Sequence, residues 1–294
     1  MSAWFLYGLT VLIWGSTWIA IKYQLGTVDP MASIAHRFAL SALLILLFLL
    51  LQRQSLGLPL RHHPFLLLQG LCLFCGNYFF VYHAELVLAS GLVSVVFAGI
   101  MMLNVLNGAL FLGSPVHAGV VVGGLVGLLG MGMVFWPELK AFNLSDASFV
   151  ALLYCLAGTL LASFGNIIAA RNKLHDLPLL VGNVWAMGYG AAAMYIAALL
   201  AGVTISFDTS PAYVLSLLYL VIFGSVIAFW AYLTLVGNIG ADRAGYANLL
   251  FPLVALAIST AIEGYQWTLV AVAGMSLVMI GNWLVMRAQG RAKV

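Results

Sequence analysis

A stretch that occurs twice constrains this chain more than any other feature. Residues 89–134 read A-S-G-L-V-S-V-V-F-A-G-I-M-M-L-N, break at Gly113-Ser114-Pro115, and continue as a glycine-rich apolar run to Val134. Residues 240–285 follow the same plan 151 positions later, with G-A-D-R-A-G-Y-A-N-L-L-F-P-L, a break at Gly264 and a second apolar run to Val285. Gly113, Gly123 and Gly130 fall on Gly264, Gly274 and Gly281, and earlier in each half Lys22 falls on Lys173. Self-similarity at half the chain length predicts one unit duplicated. If each unit has an odd number of membrane spans, the copies lie upside down relative to each other, as in many secondary transporters.

Composition decides that the unit is a membrane unit. Of the 294 residues, 64% are hydrophobic and only 6% are charged, against roughly a quarter charged in a soluble domain. Ten apolar runs are predicted, at about 4–22, 31–51, 65–84, 90–112, 116–136, 147–170, 178–201, 212–235, 244–263 and 268–286. Backbone groups in hydrocarbon must be satisfied within the segment, so runs this long read as helices. The breaks carry turn residues, among them Asp29-Pro30, His63-Pro64, Ser114-Pro115, Leu177-Pro178 and Ser210-Pro211. The expected fold is an all-α membrane protein of ten transmembrane helices in two inverted five-helix repeats, residues 1–140 and 141–294. The first run has no basic segment before it and no small-residue cleavage site after it, so it reads as a retained span.

Lys and Arg collect on one side. Arg53, Arg61, Arg171, Lys173, Arg243, Arg287, Arg291 and Lys293 fall in the connections after runs 2, 6 and 8 or at the C-terminus, against Lys22 and Lys140 on the other side. Both termini are therefore expected in the cytoplasm.

Polarity ranks the spans. Span 5, with Gly119, Gly123, Gly127 and Gly130, is nearly free of polar side chains, and span 10 carries Gly274 and Gly281. Glycines at such spacing let helices approach closely, which reads as packing. Spans 1, 3, 4, 6, 8 and 9 hold most of the mid-membrane polar and aromatic residues and are the expected cavity walls. Trp14 and Trp18 share a face of span 1 and are either interfacial anchors or cavity wall. Span 3 offers Asn77, Tyr78 and Tyr82, with Glu85 at its outer end. Span 4 offers Ser94, Met101 and Asn104, span 6 Asn166, span 8 Trp230, and span 9 Tyr246, Asn248 and the helix-interrupting Pro252. These amides either bridge helices or face a substrate.

His36-Arg37 is the clear case of charge inside a span, where placement is costly. Arg37 either snorkels outward or pairs with an acid at a gate, and Glu85 is a solvated loop residue or the other part of such a gate. No carboxylate falls mid-span, which argues against a proton or sodium site. Cys72, Cys75 and Cys155 lie in apolar stretches and read as packing residues. No metal site, cofactor or nucleic-acid partner is expected, and motifs of enzymes such as H-E-x-x-H, the P-loop and G-x-S-x-G are missing.

Ten spans, two five-span repeats, A-x-x-A spacing followed by a proline (Ala241 to Pro252, slightly displaced) and Glu263-Gly264 before a glycine-spaced last span resemble the drug/metabolite transporter superfamily of the EamA type. The first half departs from the pattern, with Met101 in place of the proline and Leu112 in place of the glutamate. Within that superfamily the chain is similar to bacterial aromatic amino-acid exporters of the YddG kind. The resemblance implies a multi-pass transporter of the bacterial inner membrane. It would export aromatic and other hydrophobic amino acids by alternating access through a central cavity. The rivals are a broader drug or metabolite exporter and, in another class, an intramembrane enzyme acting on lipid or isoprenoid substrates. That enzyme would need an acid or base cluster at depth, for which only His36, Arg37 and His83 are on offer. The lipid bilayer and a small-molecule substrate are the expected partners, and the oligomeric state stays open.

Overall fold

With water excluded, these apolar runs close their own backbone hydrogen bonds as helices. A computed structural model describes residues 2–88, 93, 96–136, 140, 146–262 and 267–290, and its described residues form helices joined by short connections. In chain order the rods are α1 (Ala3–Lys22), α2 (Pro30–Leu51), α3 (Leu60–Glu85), α4 (Ile100–Leu112) and α5 (Ala118–Val134). They are followed by α6 (Asp146–Leu174), α7 (Leu179–Leu200), α8 (Pro211–Ile239), α9 (Ala247–Ile262) and α10 (Leu269–Gly290). Among the described residues six helices, α1, α2, α3, α6, α7 and α8, are long and apolar enough to cross a membrane, and shorter apolar helices accompany them.

The starts of α1, α2 and α8 follow from local chemistry. Ser2 Oγ accepts from Phe5 N, and Asp29 caps α2 by accepting from Met31 N at 2.8 Å with Pro30 in the first turn. Ser210 and Pro211 repeat that device at α8. Two rods depart from regular α geometry. Gly70–Gly76 of α3 and Leu220–Ile227 of α8 are π-helical, and their first residues lie 150 positions apart, close to the offset of the repeat.

Packing partners recur when the halves are exchanged. α2 packs on α7 and α5 on α10, each helix on its own counterpart, while α1 packs on α8 and α9 as α6 packs on α3 and α4. At α5–α10 the glycines meet in crossed order. A Cβ on Gly130 would lie 2.6 Å from Gly274 O, and one on Gly123 would lie 2.6 Å from Gly281 O. The outward faces are apolar. On α2, Leu43, Leu47 and Leu51 are exposed while Ile34, Phe38 and Ile45 are buried. Such a surface suits hydrocarbon as solvent rather than water.

One connection is pinned by charge. Asp208, between α7 and α8, accepts from Ser210 N and Ser210 Oγ, both at 2.8 Å. The backbone hydrogen bond from Ser210, then the one from its hydroxyl, hold the Asp208 carboxyl below the usual carboxylate value. A folded pKa below the unfolded one adds stability above the unfolded value, and that stability is lost as pH falls through the folded value. Asp208→Asn is therefore expected to lower the melting temperature of the detergent-purified protein at neutral pH and to match wild type under strong acid. A deficit that stays constant across the pH series would show that this carboxylate's ionisation does not support the fold.

Candidate functional site

A cavity of about 650 Å3, counting the part that opens to its surroundings, lies among α1, α3, α4, α6, α8 and α9, with one residue from α2. Helical periodicity builds each wall. Trp14, Thr17 and Ile21 line it from α1, and Leu73, Asn77 and Val81 from α3, each set at spacings that keep one face.

One wall is aromatic. The Trp14 ring lies 5.1 Å from Phe229, 4.8 Å from Tyr232 and 6.4 Å from Phe251, centroid to centroid, in tilted and edge-on arrangements. Trp14 Nε1 donates to Gly224 O at 3.2 Å. Gly224 sits in the π-helical part of α8, where the i to i−4 ladder is interrupted. The same carbonyl accepts from Arg37 Nη2 at 3.4 Å, so α1 and α2 both fasten to this irregular turn.

The polar groups form two patches. In the first, Asn166 Nδ2 donates to Tyr232 Oη at 3.0 Å, and the amides of Asn104 and Asn248 interact with the same phenol. Asn104 Nδ2 also donates to Ala241 O at 3.2 Å, and Asn248 Nδ2 to Gly245 O at 2.9 Å. In the second, Arg37 is 1% exposed, donates from Nε to Ser225 Oγ at 2.8 Å, and lies over the Tyr78 ring at 4.8 Å from its centroid. Asn77 beside it makes only a long 3.5 Å bond from Nδ2 to Leu73 O.

The cavity brings together Trp14, Arg37, Asn77, Tyr78, Asn166 and Asn248 of the residues expected from sequence. Others lie behind its wall. Tyr82 is fully buried against Tyr78, and Asn104 is fully buried between α4 and Ala241. Met101 and Tyr246 turn toward Gly124 of α5, where the Tyr246 hydroxyl donates to Val120 O. Trp230 is half-buried on α8, and Pro252 is buried in α9 next to the lining residue Phe251. Glu85 is half-buried at the end of α3. Ser94 and the Trp18 side chain lie outside the described residues.

Arg37 takes neither course expected of it. It does not reach outward, and its partners among the described residues are the Ser225 hydroxyl, the Gly224 carbonyl, the Tyr78 and Tyr82 phenols and an aromatic face instead of an acid. Phe97 and Phe251 also line the cavity without having been singled out, because an aromatic residue within an apolar run gives no contrast to read. Among the described residues no group of three or more His, Cys, Asp or Glu could hold a metal.

Comparison with known proteins follows the duplication. The EamA-like transporter family matches residues 1–136 and again 148–287. The chain is 30% identical to the "Uncharacterized inner membrane transporter YedA" of Escherichia coli (strain K12), over 93% of this chain and 89% of that one. It is 23% identical to a "Probable amino-acid metabolite efflux pump" of the same organism, over 94% and 92%. A crystal structure 18% identical in sequence has the same fold, with a TM-score of 0.82 over 100% of this chain and 99% of that one.

Proposed function

The chain belongs to the EamA-like transporter family, and from that premise we propose that it exports aromatic and other hydrophobic amino acids across the bacterial inner membrane. The observation that carries this reading is the aromatic wall of Trp14, Phe229, Tyr232 and Phe251 facing amide and hydroxyl groups in one cavity. Rings of a substrate stack on such a wall, and amides and phenols satisfy its polar end. The relative named a probable amino-acid metabolite efflux pump supports efflux of amino-acid-related compounds, the broader class within which this reading falls.

Transport is by alternating access between the halves 1–140 and 141–294, acting as inverted five-helix repeats with both termini in the cytoplasm. The exchange symmetry of the helix contacts and the π-helical turns in α3 and α8 support that arrangement. No Asp or Glu is among the described lining residues, which favours export without obligatory ion coupling.

Counterflow of radiolabelled phenylalanine and tryptophan in proteoliposomes, with and without a pH gradient, tests the reading. The expected result is flux of both that needs no gradient. Flux only with the gradient would sink the uncoupled mechanism and keep the exporter. Absence of flux for both would sink the substrate assignment. Competition by cationic dyes equal to that by tryptophan would favour the broader drug exporter instead.

A further inference from the structure

We infer that Arg37 is the anchor for a substrate carboxylate, so that this cavity selects aryl carboxylates whether or not they carry an amino group. The inference rests on the transport reading for its setting and goes further by naming the recognised group and the residue that recognises it.

The first reason is that the charge is permanent and buried. An Arg side chain does not lose its proton at any working pH, and Arg37 is 1% exposed inside an apolar helix. A buried cation with no carboxylate partner among the described residues carries an uncompensated desolvation cost. Its partners repay only part of that. Nε is satisfied by Ser225 Oγ and Nη2 reaches Gly224 O at 3.4 Å, whereas Nη1 has no hydrogen-bond partner. The Tyr78 face beneath the guanidinium and the Phe38 ring at 5.3 Å add cation–π attraction and keep the plane fixed.

The second reason is where the group sits. Arg37 lines the cavity together with Asn77 and Tyr78, so a ligand space adjoins its side chain, and a carboxylate reaches the buried Nη1 by a small shift of the guanidinium. Planar presentation of N–H groups matches a carboxylate better than any other small anion-bearing group of an amino acid. Among the described residues no lining residue is an acid, so none of them competes with a ligand for the guanidinium.

The third reason concerns the other end of an amino acid. Asn77 Oδ1 and Asn166 Oδ1 are buried acceptors without partners, and both residues line the cavity. They are neutral. They accept N–H donors from an ammonium group but supply no charge to hold one against the fixed cation of Arg37. The cavity is therefore built to require the carboxylate and to tolerate the amine. A bare aryl amine meets a buried positive charge with nothing to offset it.

Binding of radiolabelled 3-phenylpropionate to the detergent-purified full chain tests this. Saturable binding is expected, displaced by phenylalanine, with phenethylamine weaker as a competitor by about tenfold or more. Arg37→Gln is expected to weaken 3-phenylpropionate binding by about tenfold or more, and Arg37→Lys by less, because the charge stays while the fork is lost. Phenethylamine competing as well as phenylalanine, no binding of 3-phenylpropionate to wild type, or a folded Arg37→Gln that binds like wild type would each overturn the inference. If Arg37→Gln does not fold, the competition series on wild type decides alone. Loss of phenylalanine counterflow with Arg37-dependent binding intact would sink the export reading only. Intact counterflow with equal competition by phenethylamine would sink this inference only.

Discussion

Gly130→Val is expected to strip the protein of most of its folded yield and to lower the melting temperature of what remains. At this position α5 and α10 are in backbone contact, so a side chain has no rotamer by which to escape. A Cβ on Gly130 would meet Gly274 O at 2.6 Å and Val278 N at 2.7 Å, and a Cβ on Gly274 would meet Gly130 O at 2.6 Å in return. The same reciprocity holds one contact further along, where a Cβ on Gly281 would lie 2.5 Å from Gly123 O. Forcing extra carbon into a close-packed site costs about 1–3 kcal/mol even where side chains can adjust. Here the helices themselves must part, and the contact between a helix of one half and its counterpart in the other is what is lost. A kcal/mol shifts the melting temperature by roughly 2–4 °C in chains of this order of size, so a drop of about 5 °C or more is expected for Gly130→Val. Gly8→Ala is the control, since a Cβ there meets nothing within 4 Å. That change is expected to be neutral or to add up to about 1 kcal/mol through helix propensity. Equal melting of Gly130→Val and wild type would mean that the two helices are not packed as described.

That these glycines serve close packing was legible before any coordinates, though not that α5 and α10 are each other's partners, and the reason is physical. Gly123 and Gly130 fall on Gly274 and Gly281 across the repeat, and small residues spaced along an otherwise apolar helix have few roles in lipid besides close approach. The cavity walls were legible in outline for a similar reason. Polar side chains are rare in hydrocarbon, so the helices that hold Asn77, Asn166 and Asn248 stand out from those that hold only aliphatic residues. The individual side chains were harder. Tyr246 and Asn248 are two residues apart, yet one donates to α5 and the other lines the cavity. Periodicity gives their separation around the helix without saying which face points inward. Arg37 was misplaced because its partners, Ser225 Oγ and Gly224 O, are far away in sequence and belong to a π-helical turn that no residue pattern announces. Phe251 was passed over because its neighbour Pro252 is the conspicuous residue, while the phenyl ring beside it forms part of the wall.

Trp14→Ala is expected to reduce phenylalanine counterflow at limiting substrate by about tenfold or more. Trp14 ties α1 to both α8 and α9, by its ring contacts with Phe229, Tyr232 and Phe251 and by the bond from Nε1 to Gly224 O. Each aromatic contact is worth about 0.5–1.5 kcal/mol beyond area burial, so truncation removes stacking surface from the substrate and loosens the wall that presents the other rings. Removal of a large aromatic side chain from a packed core costs about 3–5 kcal/mol, and the cost here falls below that range because part of the ring already faces open space. Trp14→Phe separates the two roles. It keeps a ring in the wall and gives up the indole N–H, leaving Gly224 O to Arg37, at a net cost of about 1 kcal/mol. Counterflow in the phenylalanine variant is therefore expected near the wild-type rate, with the alanine variant far below both. A folded Trp14→Ala protein that carries phenylalanine at the wild-type rate would place the transport path outside this cavity.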